Sequence, residues 1–417
     1  MKFFENKRLR KKLGLRRIFC PYPLFWFKTL SKKNEFSYLH SLCFELDPRD
    51  KKLLKRLAYY IKWPLCCFTQ SFEHILLKRQ LIRKELKQSI IKVWMQSFYY
   101  ALFYNVPLHL YYSYNLWEPG RQKDLKNYLH NFQMYYLFSL LYKDEDTSHI
   151  NDKNKFHEKC LEYKLPTTSP IAKFTEGKCE FFVDKVPHVS LFSKNSNLGQ
   201  GKECQHWKYR ESTKEWFNKE RSFSEEELIN YLRKESLKAD LVLQKFEELH
   251  PDLKKFSNGA LNTLRVTTNK LPGEKTEVLF SSFRIPFGDA VVDNVSVSGL
   301  ASRVNRNGIM EDARGRNFSL QNIKFHPDTG AKISGEKLPF YDEMVDLAIH
   351  AHDCVETPVS LGWDITCTTE GLKIIEANTH WGLEDFQFGS RTPLINLSFI
   401  DFVKKIEEKK LYPKHFV

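Results

Sequence analysis

The stretch that decides the fold is Gly362–Gly382, GWDITCTTEGLKIIEANTHWG. WDITCT and LKIIEAN read as two short strands joined by a tight turn over Thr369, Glu370 and Gly371. With the hairpin centred on Glu370, Asp364 falls directly opposite Glu376. Asn378 shares the face of Glu376, because side chains alternate along a strand. Two carboxylates facing each other across strands repel, and a cation between them relieves the repulsion. Two carboxylates and an amide are hard oxygen donors, suited to Mg²⁺ or Mn²⁺ with phosphate oxygens completing the shell. The plain alternative is a solvated hairpin with scattered acids. Against it, a polar Glu-Ala-Asn directly after the Leu372–Ile375 run has no packing reason.

Working outward, LNTLRVTT (Leu261–Thr268) and TEVLFSSFRIPFG (Thr276–Gly288) read as core strands, each with one arginine, Arg265 and Arg284. An arginine pointing off a core strand can stabilise the charge of a transferring phosphoryl group; otherwise it is a rim salt bridge. CEFFVD (Cys179–Asp184) and HVSLFSK (His188–Lys194) are strand-like, and the second ends in Lys194 before NSNLGQGKE. A lysine at a strand end, followed by a loop carrying Gly199 and Gly201, suits a phosphate, with backbone N–H groups curling around the anion. A hairpin turn would read the same way. WKYRESTKEWFNKERSF reads as surface, and SEEELINYLRKES from Ser224 as an amphipathic helix with Ser at its N-cap. DLVLQKFEELHP (Asp240–Pro251) is a buried strand giving way to a loop. YDEMVDLAIHAHDCVE (Tyr341–Glu356) is a helix packing on the sheet, its His350 and His352 on different faces and assigned to the surface.

At 417 residues the chain has room for two or three domains and a sizeable core. Its net charge of +14 is unevenly spread. Residues 1–100 hold 23 of the 65 Lys+Arg and 7 of the 51 Asp+Glu, a balance of +16, leaving 42 against 44 for the rest. The basicity therefore belongs to the N-terminal region and not to the part that carries the hairpin. Nine cysteines without a CxxC pair read as reduced thiols of a cytoplasmic protein, not as a zinc site. No apolar run is long enough to span a membrane, and IFCPYPLFWF (Ile18–Phe27) is too short and proline-broken for a signal peptide. Arg8, Arg10, Lys11, Lys12, Arg16 and Arg17, followed by Tyr22, Phe25, Trp26 and Phe27, suit peripheral contact with an anionic membrane or a tail packed on its own body; nucleic acid is the third choice. From Leu39 to Leu141 the pattern is helical. Leu53, Leu54, Leu57 and Ile61 form one apolar stripe, Leu81, Ile82, Leu86, Ile90 and Val93 another, and the dense Tyr and Phe are read as core.

The ordered set NTLR (Asn262–Arg265), DN (Asp293–Asn294), HPDTG (His326–Gly330) and GWD (Gly362–Asp364), closed by Glu-Ala-Asn, resembles the ATP-grasp superfamily. The likeness is to its sugar-transfer-associated branch, related to the α-L-glutamate ligases, over roughly residues 150–385. It implies an α+β fold: a basic, aromatic-rich helical region over 1–145, an initial helix and lid over 146–243, and a core of antiparallel sheet with the metal site over 244–417. It implies that Lys153 and Lys194 contact nucleotide phosphates, that Gln244, Lys245, Phe246 and Glu247 line the adenine, and that Asp293 and Asn294 present the acceptor substrate. The chain departs from the family pattern where Asn195 replaces a proline, Gln244 an acid and Ser298 a glycine. The implied activity is that of a ligase: ATP and Mg²⁺ (or Mn²⁺) drive formation of an amide between a carboxylate and an amine through an acyl phosphate. Arg265 and Arg284 would stabilise the intermediate, and the setting would be polysaccharide or cell-envelope biosynthesis. A kinase acting on a hydroxyl, or a nucleotide-binding protein without catalysis, are the alternatives.

Overall fold

The hairpin at Gly362–Gly382 is the edge of a six-stranded antiparallel sheet whose two faces differ in chemistry. The structure, a computed structural model, describes residues 35–45, 53–104, 106, 108–143, 145–195, 204–218, 221–271, 273–290, 292–293, 299–315, 320–355, 359–383, 387, 393 and 397–411. Residues 1–34, Gly199, Gly201, Asn294 and Ser298 lie outside the described residues, and with them the basic–aromatic segment and the glycine loop. The chain divides into two compact units, residues 144–381 and residues 1–143 with 382–417.

In the first unit, helices α6 (Ser148–Asn151) and α7 (Lys153–Glu162) precede a seven-stranded sheet. Its strands are β1 (Pro170–Thr175), β2 (Lys178–Phe181), β3 (Leu191–Asn195), β4 (Gln205–Arg210), β5 (Glu215–Phe217), β6 (Ser222–Phe223) and β7 (Leu241–Lys245), ordered β2-β1-β7-β3-β4-β5-β6. One face packs Phe174, Leu191, Trp207 and Leu243 against Leu228 and Leu232 of helix α8 (Glu225–Glu235). That helix starts where the sequence places it: the Ser224 hydroxyl accepts from Glu227 N–H while the Glu227 carboxylate accepts from Ser224 N–H. WKYRESTKEWFNKERSF is surface on one side only, with Lys208 and residues 210–214 exposed and Trp207, Trp216 and Phe223 buried. Its first part folds as the β4–β5 hairpin, with the indole N–H groups of Trp207 and Trp216 donating to the Ser193 hydroxyl and the Val189 carbonyl.

After the short helix α9 (Pro251–Lys254), the second sheet uses β8 (Thr263–Asn269), β9 (Glu277–Ile285), β10 (Leu300–Val304), β11 (Arg314–Gly315), β12 (Ser360–Thr368) and β13 (Gly371–Asn378). Their order is β11-β10-β9-β8-β12-β13, antiparallel throughout. Leu264 and Val266 of β8 and Leu361, Trp363 and Ile365 of β12 point into the main core, where Met344, Ala348 and Ala351 of helix α10 (Tyr341–Cys354) meet them. The alternate residues, Thr263, Arg265 and Thr267 on β8 and Gly362, Asp364 and Thr366 on β12, make a polar face that is also buried. His352 corrects the surface assignment: it is fully buried, and the Thr268 hydroxyl bonds its Nδ1 at 2.6 Å.

The second unit is helical: α1 (Glu35–Glu45), α2 (Leu53–Lys84), α3 (Ile90–Tyr104), α4 (Leu108–Ser113), α5 (Asn131–Leu141) and the C-terminal α11 (Leu397–Leu411). Gln387 ties the C-terminal part to this unit, its amide bonding both backbone groups of Leu129 and the Tyr114 hydroxyl. Residues 382–417 thus group with the helices and not with the sheet that precedes them. No helix among the described residues is long and apolar enough to cross a membrane, and the eight described cysteines are free thiols.

Candidate active site

The hairpin closes on a two-residue turn, with Thr368 paired to Gly371, whose φ of +106° suits glycine. Continued without interruption, that register would put Asp364 opposite Ile375 and turn Glu376 to the wrong face. A bulge between Asp364 and Ile365 shifts the pairing by one residue, so Asp364 faces Glu376 and Gly362 faces Asn378. On its other side Asp364 pairs with Arg265 of β8.

The Asp364 carboxylate, 3% exposed, accepts from Arg265 at both oxygens: Nε at Oδ1, and Nη2 at Oδ2 at 2.7 Å. Arg284 Nη1 donates to Oδ2 at 3.2 Å. Burial alone would raise this carboxyl, but Arg265 and then Arg284 outweigh it and hold it at about 2. Arg265 reaches across Gly362. A Cβ at Gly362 would lie 3.2 Å from Arg265 Cδ and 2.8 Å from Trp381 Cβ, so only glycine lets the guanidinium lie flat on the strand. Asp293 stands beside this cluster, accepting from the Thr263 hydroxyl. Burial raises its carboxyl, Arg284 lowers it, Asp364 raises it again, and the outcome is about 7.

Asn378 Nδ2 donates to Glu376 Oε1 at 3.2 Å, and Glu376 stands opposite Asp364 across the two strands. Two carboxylates facing each other across strands repel, and a cation between them relieves the repulsion. Among the described residues no three His, Cys, Asp or Glu side chains form a metal cage. The donor set is two carboxyls and an amide, which fits a hard divalent ion, with Glu376 and Asn378 as the readier ligands because three guanidinium N–H groups already occupy Asp364.

Lys194, near the end of β3, is half-buried, and its charge is felt together with those of Lys153 and Glu376. Desolvation first and Lys153 second lower its ammonium, Glu376 and Cys204 oppose them, and the outcome is about 8. Lys153, in the first turn of α7, donates to the Asn195 carbonyl at 2.7 Å. Two lysine charges brought together around a buried strand end have the chemistry of an anion site.

At the C-terminal end of β7, Gln244 is buried opposite Phe192. Phe246 stacks on His206 with ring centroids 3.8 Å apart and planes within 7°. Both rings border a cleft of about 640 Å³ between β4–β5 and the loops at Asn258–Ala260 and Gly288–Ala290. Burial, then Lys208, lowers His206 to about 4, so the stack is neutral at pH 7 and suits the flat face of a base. Glu247 is buried and its carboxyl raised by that burial. Lys245 does not line the cleft with its ammonium, which pairs instead with Glu370 in the turn of the hairpin.

The structure thus gathers Asp364, Glu376, Asn378, Arg265, Arg284 and Asp293 at one place, with Lys194 near both Glu376 and Lys153. Sequence reasoning missed His206, Cys204 and Thr263. The alternation in CQHW, with Trp207 inward, is the signal that puts Cys204 and His206 on the opposite face of β4.

Residues 135–399 match the model of the family described as sugar-transfer associated ATP-grasp. No curated protein matches the sequence. Among solved structures, an L-amino acid ligase from Bacillus licheniformis is similar at 11% identity over 68% of this chain and 53% of its own, TM-score 0.37. D-alanyl-alanine synthetase A from Vibrio cholerae is similar at 12% identity over 63% and 66%, TM-score 0.36. An ADP complex of N5-carboxyaminoimidazole ribonucleotide synthetase is similar at 12% over 58% and 50%, TM-score 0.33. The chain spans about half the length of the last of these.

Proposed function

We propose that this chain, which belongs to the sugar-transfer associated ATP-grasp family, joins a carboxylate to an amine with cleavage of ATP to ADP. The observation that carries the reading is the grouping of Lys194 with Lys153 and Glu376, Glu376 standing opposite Asp364 and bonded by Asn378. Cations to hold phosphate oxygens and oxygen donors to hold a divalent ion stand together, as phosphoryl transfer requires. When bound by Glu376, Asn378 and Asp364, Mg²⁺ or Mn²⁺ supplies charge neutralisation at the β- and γ-phosphates.

The residues of the chain do the rest. Lys153 and Lys194 grip the phosphates, and the Phe246–His206 stack with Gln244 and Glu247 receives the base. The substrate carboxylate attacks the γ-phosphorus, ADP leaves, and an acyl phosphate forms. The amine then attacks the acyl carbon, phosphate departs, and the amine loses a proton. Arg265 fixes Asp364, while Arg284, bonded to it by one nitrogen and felt by Asp293, offers charge to the acyl phosphate. Asp293, with Asn294, presents the acceptor. The sugar-transfer description of the family supports an acid from surface-polysaccharide metabolism, such as a uronic acid joined to an amino acid in the cytoplasm.

The test is ADP release with Mg²⁺ over a panel of sugar acids and amines, with hydroxylamine as the trapping amine. A hydroxamate is the expected product. A phosphate ester without hydroxamate decides for a kinase, and no substrate-dependent ADP release decides for a binding protein.

A second expectation follows from Lys194. Lys194→Ala should weaken ATP binding at least about tenfold, since a hydrogen bond to a charged group contributes about 1.5–3 kcal/mol. Thermal stability should hold or rise, because burial of the ammonium opposes folding. Isothermal titration with ATP checks this, and an unchanged Kd places the phosphates elsewhere.

A further inference from the structure

The long helix α2 carries more apolar side chains than its packing uses. Trp63, Cys66, Cys67, Ile75 and Ile82 turn inward. Ile61, Leu65, Phe68, Phe72 and Leu76, spaced by four, three, four and four residues, form a second line on the outside. Ile61, the last member of the apolar stripe that begins at Leu53, is 79% exposed. Helix α3 continues the surface with Ile91, Met95 and Tyr99, all exposed and four apart. The two lines join through Trp94, whose ring meets Phe68 at 5.4 Å and Phe72 at 6.1 Å, and through Phe98, 5.9 Å from Phe68. From Ile61 to Leu76 the stripe runs about 22 Å, at about 1.5 Å per helical residue.

Its borders are basic. Arg79 and Arg83 continue the line of Ile61, Leu65 and Phe72 beyond Leu76, and Lys62, Lys78, Lys84 and Lys92 are exposed alongside. Residues 61–99 hold seven Lys and Arg against two acids, Glu73 and Glu85.

We propose that the exposed face of α2 and α3 is a docking surface for an anionic lipid bilayer. Exposed apolar and aromatic side chains on two packed helices insert at the level of the headgroups, while Lys and Arg at the border meet lipid phosphates. The same charge argues against a second copy of this chain, since two such faces would bring like charges together at their rims. It argues equally against an acid-poor protein partner. Neither helix spans the bilayer, so the contact is reversible and weakens with salt. The inference rests on the helical unit alone and stands whether or not the reading of the active site holds.

The experiment is sedimentation of the full chain with vesicles of phosphatidylglycerol and phosphatidylcholine, against vesicles of phosphatidylcholine alone. Binding to the anionic vesicles only is expected, reduced at about 0.5 M salt, where the screening length is roughly 4 Å. The triple variant Leu65→Ser, Leu76→Ser, Ile91→Ser and the double variant Arg79→Glu, Arg83→Glu should each lower partitioning by at least about tenfold. All five positions are exposed, so circular dichroism and Tm should match the parent. Replacing Tyr22, Phe25 and Trp26 with serine in the full chain is the control. Loss of binding in that control, with retention in the triple and double variants, overturns the proposal in favour of the N-terminal segment. Equal binding to neutral vesicles, or none to either kind, also overturns it. So does a concentration-dependent dimer without vesicles that the triple variant abolishes.

Discussion

Asp364→Asn should destabilise the protein by about 3–5 kcal/mol, the cost of stranding buried charge when one partner of an ion pair is removed. Asp364 is the counter-ion of two arginines at once, and both are nearly as buried as it is, with side chains 8% and 11% exposed. Asparagine keeps the shape but brings no charge, and its amide N–H₂ would point a donor at guanidinium N–H groups. Arg265, with its side chain only 8% exposed, would be left with a buried charge and no counter-ion. The same geometry sets a pH dependence. The carboxyl titrates at about 2 when folded, below the 3.8 of the unfolded chain. Its contribution is therefore fully present above about pH 4 and lost as pH falls through about 2. Urea denaturation of parent and variant at pH 7, and of the parent from pH 5 downward, measures both. A variant within about 1 kcal/mol of the parent, little more than a surface substitution costs, would mean that water already reaches the arginines.

The elements that were legible in the sequence are those where one rule acts alone. Strand alternation puts Asp364, Glu376 and Asn378 on one face, and the capping box at Ser224 starts α8 where its sequence says. The pairing of Asp364 with Glu376 was legible for the wrong local reason. A symmetric hairpin about Glu370 gives that pairing, whereas the chain makes a tighter turn and recovers the register with a bulge, which no residue type announces.

What was hidden depends on partners distant in sequence. The charge-rich WKYRESTKEWFNKERSF reads as solvated, yet its two tryptophans alternate inward and find hydrogen-bond acceptors at Ser193 and Val189. His352 looks like a surface residue on its helix until Thr268 is brought against it. Arg265 and Arg284 are readable as cations on core strands, but not as the two halves of a clamp on Asp364. Ile61 shows the opposite failure: helical periodicity identifies an apolar line but not whether anything covers it.

Glu376→Gln should leave the fold intact and lower turnover by roughly two to three orders of magnitude, the usual loss when one preorganised charge or donor aimed at the reacting phosphate is removed. Glu376 differs from Asp364 in what depends on it. It is only half-buried, no arginine is stranded by its loss, and the glutamine oxygen can still accept from Asn378 Nδ2. Stability should therefore change little while the charge that would hold the divalent ion disappears. A second readout separates this from a merely local disturbance. The Glu376 carboxylate holds the Lys194 ammonium up against burial and against Lys153. Without it, Lys194 loses its proton at lower pH than the parent's value of about 8. Nucleotide affinity in the variant should then fall between pH 7 and pH 8 more steeply than in the parent, because the phosphates lose a cation as pH rises. Calorimetric titration of ATP at the two pH values, beside the rate of ADP release, tests both halves. Wild-type turnover at ordinary Mg²⁺ would remove Glu376 from the site, and parallel pH profiles would separate it from Lys194.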